Sequence, residues 1–159
     1  MRPQRKPSRD RGPTASGATV SYLEQRIRLE KFELKQLPKA RGAGRVVLAW
    51  ETAEEFVGSA EGPSSRRGEL RCAAEAAACA LERAAQDRVT LEVHAVKAIE
   101  TFDTIIVVVR LWSEVGDVAE RLVGSCLIKQ DPTRGAVLAV LNATNRLFGK
   151  LLQGALSSH

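Results

Sequence analysis

Two consecutive stretches of the chain run through the same succession of hydrophobic patterns. In the first, residues 29–37 alternate loosely around Leu29, Phe32 and Leu34. A second apolar run follows at 45–51, and a third at 55–61 stops at Gly62-Pro63. Short apolar runs with period-two alternation and turn-forming flanks read as strands. Arg41-Gly-Ala-Gly44 has the composition of a turn and predicts the hairpin joining the first two. From Ser65 to Gln86 the period changes. Eight alanines and no proline occur there, and Leu70, Ala73, Ala77, Leu81 and Ala84 share one helical face. The second stretch repeats the order, with strands near 89–99, 104–113 and 119–128, then a helix from Asp131-Pro132-Thr133 to about Leu152. Asp before Pro suits a helix cap and a first helical position. Ahead of both stretches, Ser21-Tyr-Leu-Glu24 reads as the capping box of a short entry helix.

The parallel order suggests an internal duplication. Trp50 and Trp112 each end a β-rich run, at an offset of 62, and Leu29-Glu30 falls on Leu91-Glu92 at the same offset. Val57-Gly58-Ser59 recurs as Val123-Gly124-Ser125 at an offset of 66, and Gly68 matches Gly135 at 67. The predicted class is therefore α+β: pseudo-duplicated βββα units, an antiparallel-rich sheet with two Ala-rich helices on one face. One repeat covers about 28–87 and the other about 88–152 within a domain at 21–152, with a disordered basic tail at 1–20 and a flexible C-terminus at 153–159. Ile105 to Val109 are apolar on both sides of their strand, as in strands covered on both faces, which predicts a homodimer.

Charge changes this picture little. The 159 residues carry a net +5, but Arg2, Arg5, Lys6, Arg9 and Arg11 against the single Asp10 put +4 of that in the first 20, leaving +1 for the other 139. Such a tail buries too little apolar surface to order itself. As an alternative function it would give a nucleic-acid-associated protein a basic arm, although no aromatic residue interleaves the charges for base stacking. The longest strongly apolar run is five residues, far short of a membrane span. The basic start leads into Pro, Ser and Gly and not into an apolar segment, so no export signal is expected and a cytoplasmic location is. Cys72, Cys79 and Cys126 are then reduced thiols serving as small apolar residues.

A search for chemistry finds no carboxylate pair, nucleophile elbow or metal-ligand spacing, and hence neither an enzyme nor a cofactor. His94 lies alone in a strand, where packing or hydrogen bonding in the core is the usual role. Gly42-Ala-Gly44 lacks the third glycine of a dinucleotide loop and precedes a strand.

Four segments carry a resemblance. Val93-His-Ala-Val96 and Val123-Gly-Ser125 lie in the second half's strands, and Leu141-Asn-Ala-Thr-Asn-Arg-Leu147 lies in its helix. With Gly58-Ser-Ala-Glu-Gly-Pro63 ahead of the first helix, they make residues 30–150 similar to the C-terminal regulatory domain of isopropylmalate synthase and citramalate synthase. The resemblance implies a dimerising, allosteric domain that binds a small amino-acid-like metabolite at the turns before its two helices. Those turns are here Gly62, Pro63 and Ser64, and Gln130 and Asp131. Helix N-termini there would hold a carboxylate, and Asp131 an ammonium. The condensing barrel of those synthases has no counterpart in these residues, so their reaction is not implied. A structural interaction module with a protein partner is the remaining alternative.

Overall fold

A computed structural model describes residues 27–50 and 54–157. The basic tail, the Ser21–Glu24 capping box and residues 158–159 lie outside the described residues. Six strands and two helices follow in the order β1 (Arg28–Leu37), β2 (Arg41–Trp50), β3 (Glu54–Pro63), α1 (Arg66–Ala84), β4 (Thr90–Thr101), β5 (Thr104–Val115), β6 (Val118–Ile128) and α2 (Pro132–Ser157). The fold is α+β and pseudo-duplicated, strand–strand–strand–helix twice. The strands divide into two antiparallel sheets, β1-β2-β3 and β4-β5-β6. Each sheet carries a helix on one face: α1 packs on β2 and β3, and α2 on β5 and β6. The two helices also pack on each other, and α1 borders β4 as well.

This placement explains why α1 is buried on more than one side. Leu70, Ala73, Ala77 and Leu81 form the expected inner face, but Ala74, Ala76, Ala78 and Ala80 are buried too. Alanine is a strong helix former with a small side chain, so α1 can meet a sheet, a helix and a strand edge at once. Polar side chains of α1 also serve strand backbones. Glu82 Oε2 accepts from the Leu91 amide (2.8 Å), Arg71 Nη2 donates to the Val93 carbonyl (2.7 Å), and Arg83 Nη1 to that of Val57 (2.9 Å). The first two cover the free edge of β4, which would otherwise present unpaired donors and acceptors.

The strand registers refine the duplication. Val46 pairs with Gly58 and Val109 with Gly124, so the central strands correspond at an offset of 63 residues and not 62. Trp112 is thus the counterpart of Ala49, and Trp50 of Ser113. The two tryptophans point to opposite faces of their sheets.

Gly58 and Gly124 do occupy equivalent places. A Cβ on Gly58 would lie 2.2 Å from the Ala76 carbonyl oxygen and 2.3 Å from the Ala80 nitrogen. On Gly124 it would lie 2.2 Å from the Ala139 oxygen and 2.5 Å from the Ala143 nitrogen. Each is where helix backbone touches sheet backbone. Ala76 and Ala139 put the helices also at an offset of 63, so Gly135 corresponds to Cys72 and not to Gly68. One contact is then built in two ways. In the first half, small Gly44 on the strand meets the Cys72 sulfur, whereas in the second Val107 on the strand meets small Gly135 on the helix.

The first hairpin turn lies at residues 38–40, not at Arg41–Gly44. Leu37 pairs with Arg41, and Lys39 and Ala40 hold positive φ angles of 64° and 56°. Gly42 and Gly44 are both within β2, and Gly44 is small because α1 crosses there. The second helix begins behind Asp131-Pro132 as expected but continues to Ser157, past the expected end at Leu152.

Candidate functional site

The two turns ahead of the helices are the candidate ligand site, and their polar atoms are largely committed to the fold. Gly62 and Pro63 close β3, paired with Gly42 and Arg41. The Ser64 amide donates to the Ala40 carbonyl (2.9 Å), tying this turn to the β1–β2 hairpin. Ser65 is the cap of α1: its Oγ accepts from the Gly68 amide (3.1 Å) and its carbonyl from the Glu69 amide (2.8 Å). The first four amides of a helix lack intrahelical partners, so Arg66 and Arg67 supply the open donors here.

The second turn is built differently. Asp131 holds a positive φ of 58°, its Oδ1 accepts from the Arg134 amide (3.3 Å) and the Thr133 hydroxyl, and its carbonyl accepts from the Gly135 amide (3.2 Å). Pro132 has no amide hydrogen, so Thr133 is the open donor of that turn. The Asp131 carboxylate is exposed but engaged as a helix cap, and Gln130 is exposed beside it. No hydrogen bond or ion pair joins the two turns among the described residues. The anion-binding capacity is greater at α1, where Arg66 and Arg67 also bring exposed guanidinium groups; that of Arg66 lies 3.9 Å from Glu100.

Asn142, in the segment carrying the resemblance, donates through Nδ2 to the Ser125 carbonyl of β6 (2.7 Å). Thr144 in the same segment is buried, its hydroxyl turned back on the Val140 carbonyl (2.9 Å). Both side chains have structural duties. His94 is outside the core: it stacks on Trp112 with ring centroids 6.2 Å apart and planes 4° from parallel, and its Nε2 lies 3.4 Å from Glu92 Oε1. It sits at a β-bulge of β4, between Val93 and Ala95, which turns its side chain to the outer face.

The three cysteines are free thiols. Burial pushes the Cys72 and Cys126 thiols up from their ordinary pKa, and Cys72 Sγ donates to the Ala60 carbonyl at 3.1 Å. No cluster of three or more His, Cys, Asp or Glu side chains suited to a metal ion occurs among the described residues, and no helix among them is long and apolar enough to cross a membrane. Arg2, Arg5, Lys6, Arg9 and Arg11 lie outside the described residues.

Sequence reasoning reached the outer face of the second sheet, opposite α2, through the doubly apolar run Ile105–Val109 of β5, but passed over its neighbours in β4 and β6. Ile99, Ile106 and Leu127 lie side by side across its three strands. Leu127 is 70% and Ile99 42% exposed. The signal was present as alternation in β6, where Val123 and Leu127 fall out of phase with the inward Leu122, Gly124 and Cys126.

Comparison of the chain with models of known protein families and with curated proteins finds no match.

Proposed function

We propose that this chain is a non-catalytic regulatory domain that dimerises and binds a small amino-acid-like metabolite, similar to the regulatory domain of isopropylmalate synthase. The observation that carries the reading is the βββα unit occurring twice, with each helix entered from the end of a third strand. In the regulatory domains that the chain resembles, that is where the ligand sits. The open amides of Arg66 and Arg67 favour a carboxylate through unpaired N–H groups and the positive end of the helix dipole. Asp131 supplies a carboxylate for an ammonium group.

The test is thermal unfolding of the full chain against a panel of amino acids and short 2-oxo and 2-hydroxy acids at millimolar concentration. A ligand bound to the folded state alone at a hundred times its dissociation constant adds about 2.7 kcal/mol, a rise of several degrees for a domain of this size. Reversing the charge of Arg67 should abolish that rise for the active compound. A melting temperature unmoved by every compound rejects metabolite binding.

A further inference from the structure

The two halves provide an internal control for what the fold itself requires. At the level of Ala43 in the first sheet, the outward residues across β1, β2 and β3 are Lys35, Ala43 and Glu61. The equivalent positions across β4, β5 and β6 are Ile99, Ile106 and Leu127. One level along, Glu33, Arg45 and Ser59 correspond to Lys97, Val108 and Ser125. At these two levels the first sheet carries the charged residues Lys35, Glu61, Glu33 and Arg45 and the second only Lys97; one level further the central strands reverse, with Val47 in the first sheet and Arg110 in the second. Beyond the end of the second sheet, at the tip of the β4–β5 hairpin, Phe102 is fully exposed and held at a φ of 53°. Apolar groups gathered on one face without an inner partner mark an interaction surface.

From this we infer that the outer face of β4-β5-β6 is the dimer interface, covered by the same face of a second copy. The inference rests on the dimer clause of the proposed function and names its surface. What selects a second copy is the way the face complements itself. Two sheets packed face to face keep their strands within about 30° of each other. A two-fold axis running along β5 exchanges β4 with β6 and leaves each level opposite itself. Leu127 of one copy then meets Ile99 of the other, and Ile106 meets its own copy. At the far level, Glu92, Trp112 and Arg121 lie across the three strands. The same axis sets Arg121 over the partner's Glu92, twice per dimer, with the two Trp112 rings between. Arg110 also lies on the axis, between the Ile106 and Trp112 levels, so the two guanidinium groups face each other and their repulsion lowers the affinity. The face measures roughly 30 Å by 14 Å from strand geometry, about 420 Å² per copy, which is in the range of weak or transient interfaces. Association is therefore expected in the micromolar range.

The experiment is sedimentation velocity on the full chain from low micromolar to a few hundred micromolar, with circular dichroism confirming the fold of each variant. Wild type should pass from monomer to dimer. Leu127→Lys and Ile99→Lys, both on exposed side chains, should each raise the dissociation constant at least tenfold. Glu92→Arg and Arg121→Glu should each weaken the dimer, and the double variant Glu92→Arg/Arg121→Glu should recover it, because the swapped charges meet across the axis. A dimer indifferent to Leu127→Lys and Ile99→Lys overturns this face while leaving dimerisation standing. A chain that stays monomeric throughout overturns both. A double variant weaker than either single one overturns the two-fold along β5.

Discussion

Replacing Gly58 or Gly124 with alanine tests whether the contact between helix and sheet backbones sets the spacing of each half. In isolation either change should stabilise, because alanine lowers the entropy of the unfolded chain by about 0.4–1 kcal/mol. The structure reverses the sign. The new Cβ would lie 2.2 Å from a helix carbonyl oxygen in both cases, with a helix nitrogen 2.3 Å away at Gly58 and 2.5 Å away at Gly124. Ordinary contact begins beyond 3 Å, so helix and strand must separate by about 1 Å. Neither side can yield through a flexible side chain, since the obstructing atoms are backbone.

At α1 the separation would lift Ala73, Ala76, Ala77, Ala80 and Leu81, all essentially inaccessible to solvent, off their partners. A radial gap of about 0.5–1 Å forfeits a quarter to a half of each dispersion contact. Overpacking of this kind costs about 1–3 kcal/mol, and the rigid backbone places each variant at or above the upper end. Gly42→Ala is the control, because its Cβ would meet only the Lys35 carbonyl oxygen at 3.5 Å. Urea unfolding followed by circular dichroism should show a much lower midpoint for Gly58→Ala and Gly124→Ala, and little or no loss for Gly42→Ala. A Gly58→Ala or Gly124→Ala midpoint equal to or above wild type would refute the reasoning.

Other expectations follow from single groups. Ser65→Ala removes the acceptor of the Gly68 amide and should cost about 1 kcal/mol in the same unfolding assay; Ser65→Asp should retain most of it. Cys72 is buried with a thiol pushed up by desolvation, so it should react with a thiol reagent at pH 8 only as fast as the chain opens, and added urea should speed it steeply. Reaction at the rate of a free thiol in native buffer would contradict its placement under β3. The Lys31 ammonium, hydrogen-bonded to Glu33 and attracting it electrostatically, holds the Glu33 carboxyl below its usual pKa of 4.5. A lowered folded pKa contributes stability that is present above the unfolded value and is lost as pH falls through the folded one. Glu33→Gln should therefore flatten the acid limb of melting temperature against pH. An unchanged limb would show that the pair contributes nothing.

Much of the fold was legible because periodicity and side-chain size were both informative. Val57-Gly58-Ser59 and Val123-Gly124-Ser125 stood out as a repeated segment, and their repetition reflects one packing requirement met twice. The alanine runs indicated helices, and Ser65 and Asp131 marked their starts. The first hairpin misled for a physical reason. Gly42 and Gly44 have the composition of a turn, yet Gly44 is small to admit Cys72. The actual turn places Lys39 and Ala40, which have no glycine signature, in left-handed conformations. The tryptophan match was one residue out because Trp50 and Trp112 share a local context and not a register. A β-bulge could not be read at His94, so its turn to the outer face was invisible. At the candidate site the residue types were readable, but not their commitments. Nothing in the sequence shows that the Ser64 amide is spent on the Ala40 carbonyl, or that Asp131 serves as a cap.

The contact made by Gly44 and Cys72 in one half and by Val107 and Gly135 in the other has a consequence for recombination between them. The two helices are not interchangeable modules. Grafting α2 onto the first sheet would set Gly135 against Gly44 and leave a void with no side chain to fill it. Grafting α1 onto the second would drive the Cys72 sulfur into Val107. Two halves that began identical would have shared one residue pair at this contact, so at least two substitutions now separate them, and the difference matches each helix to its own sheet.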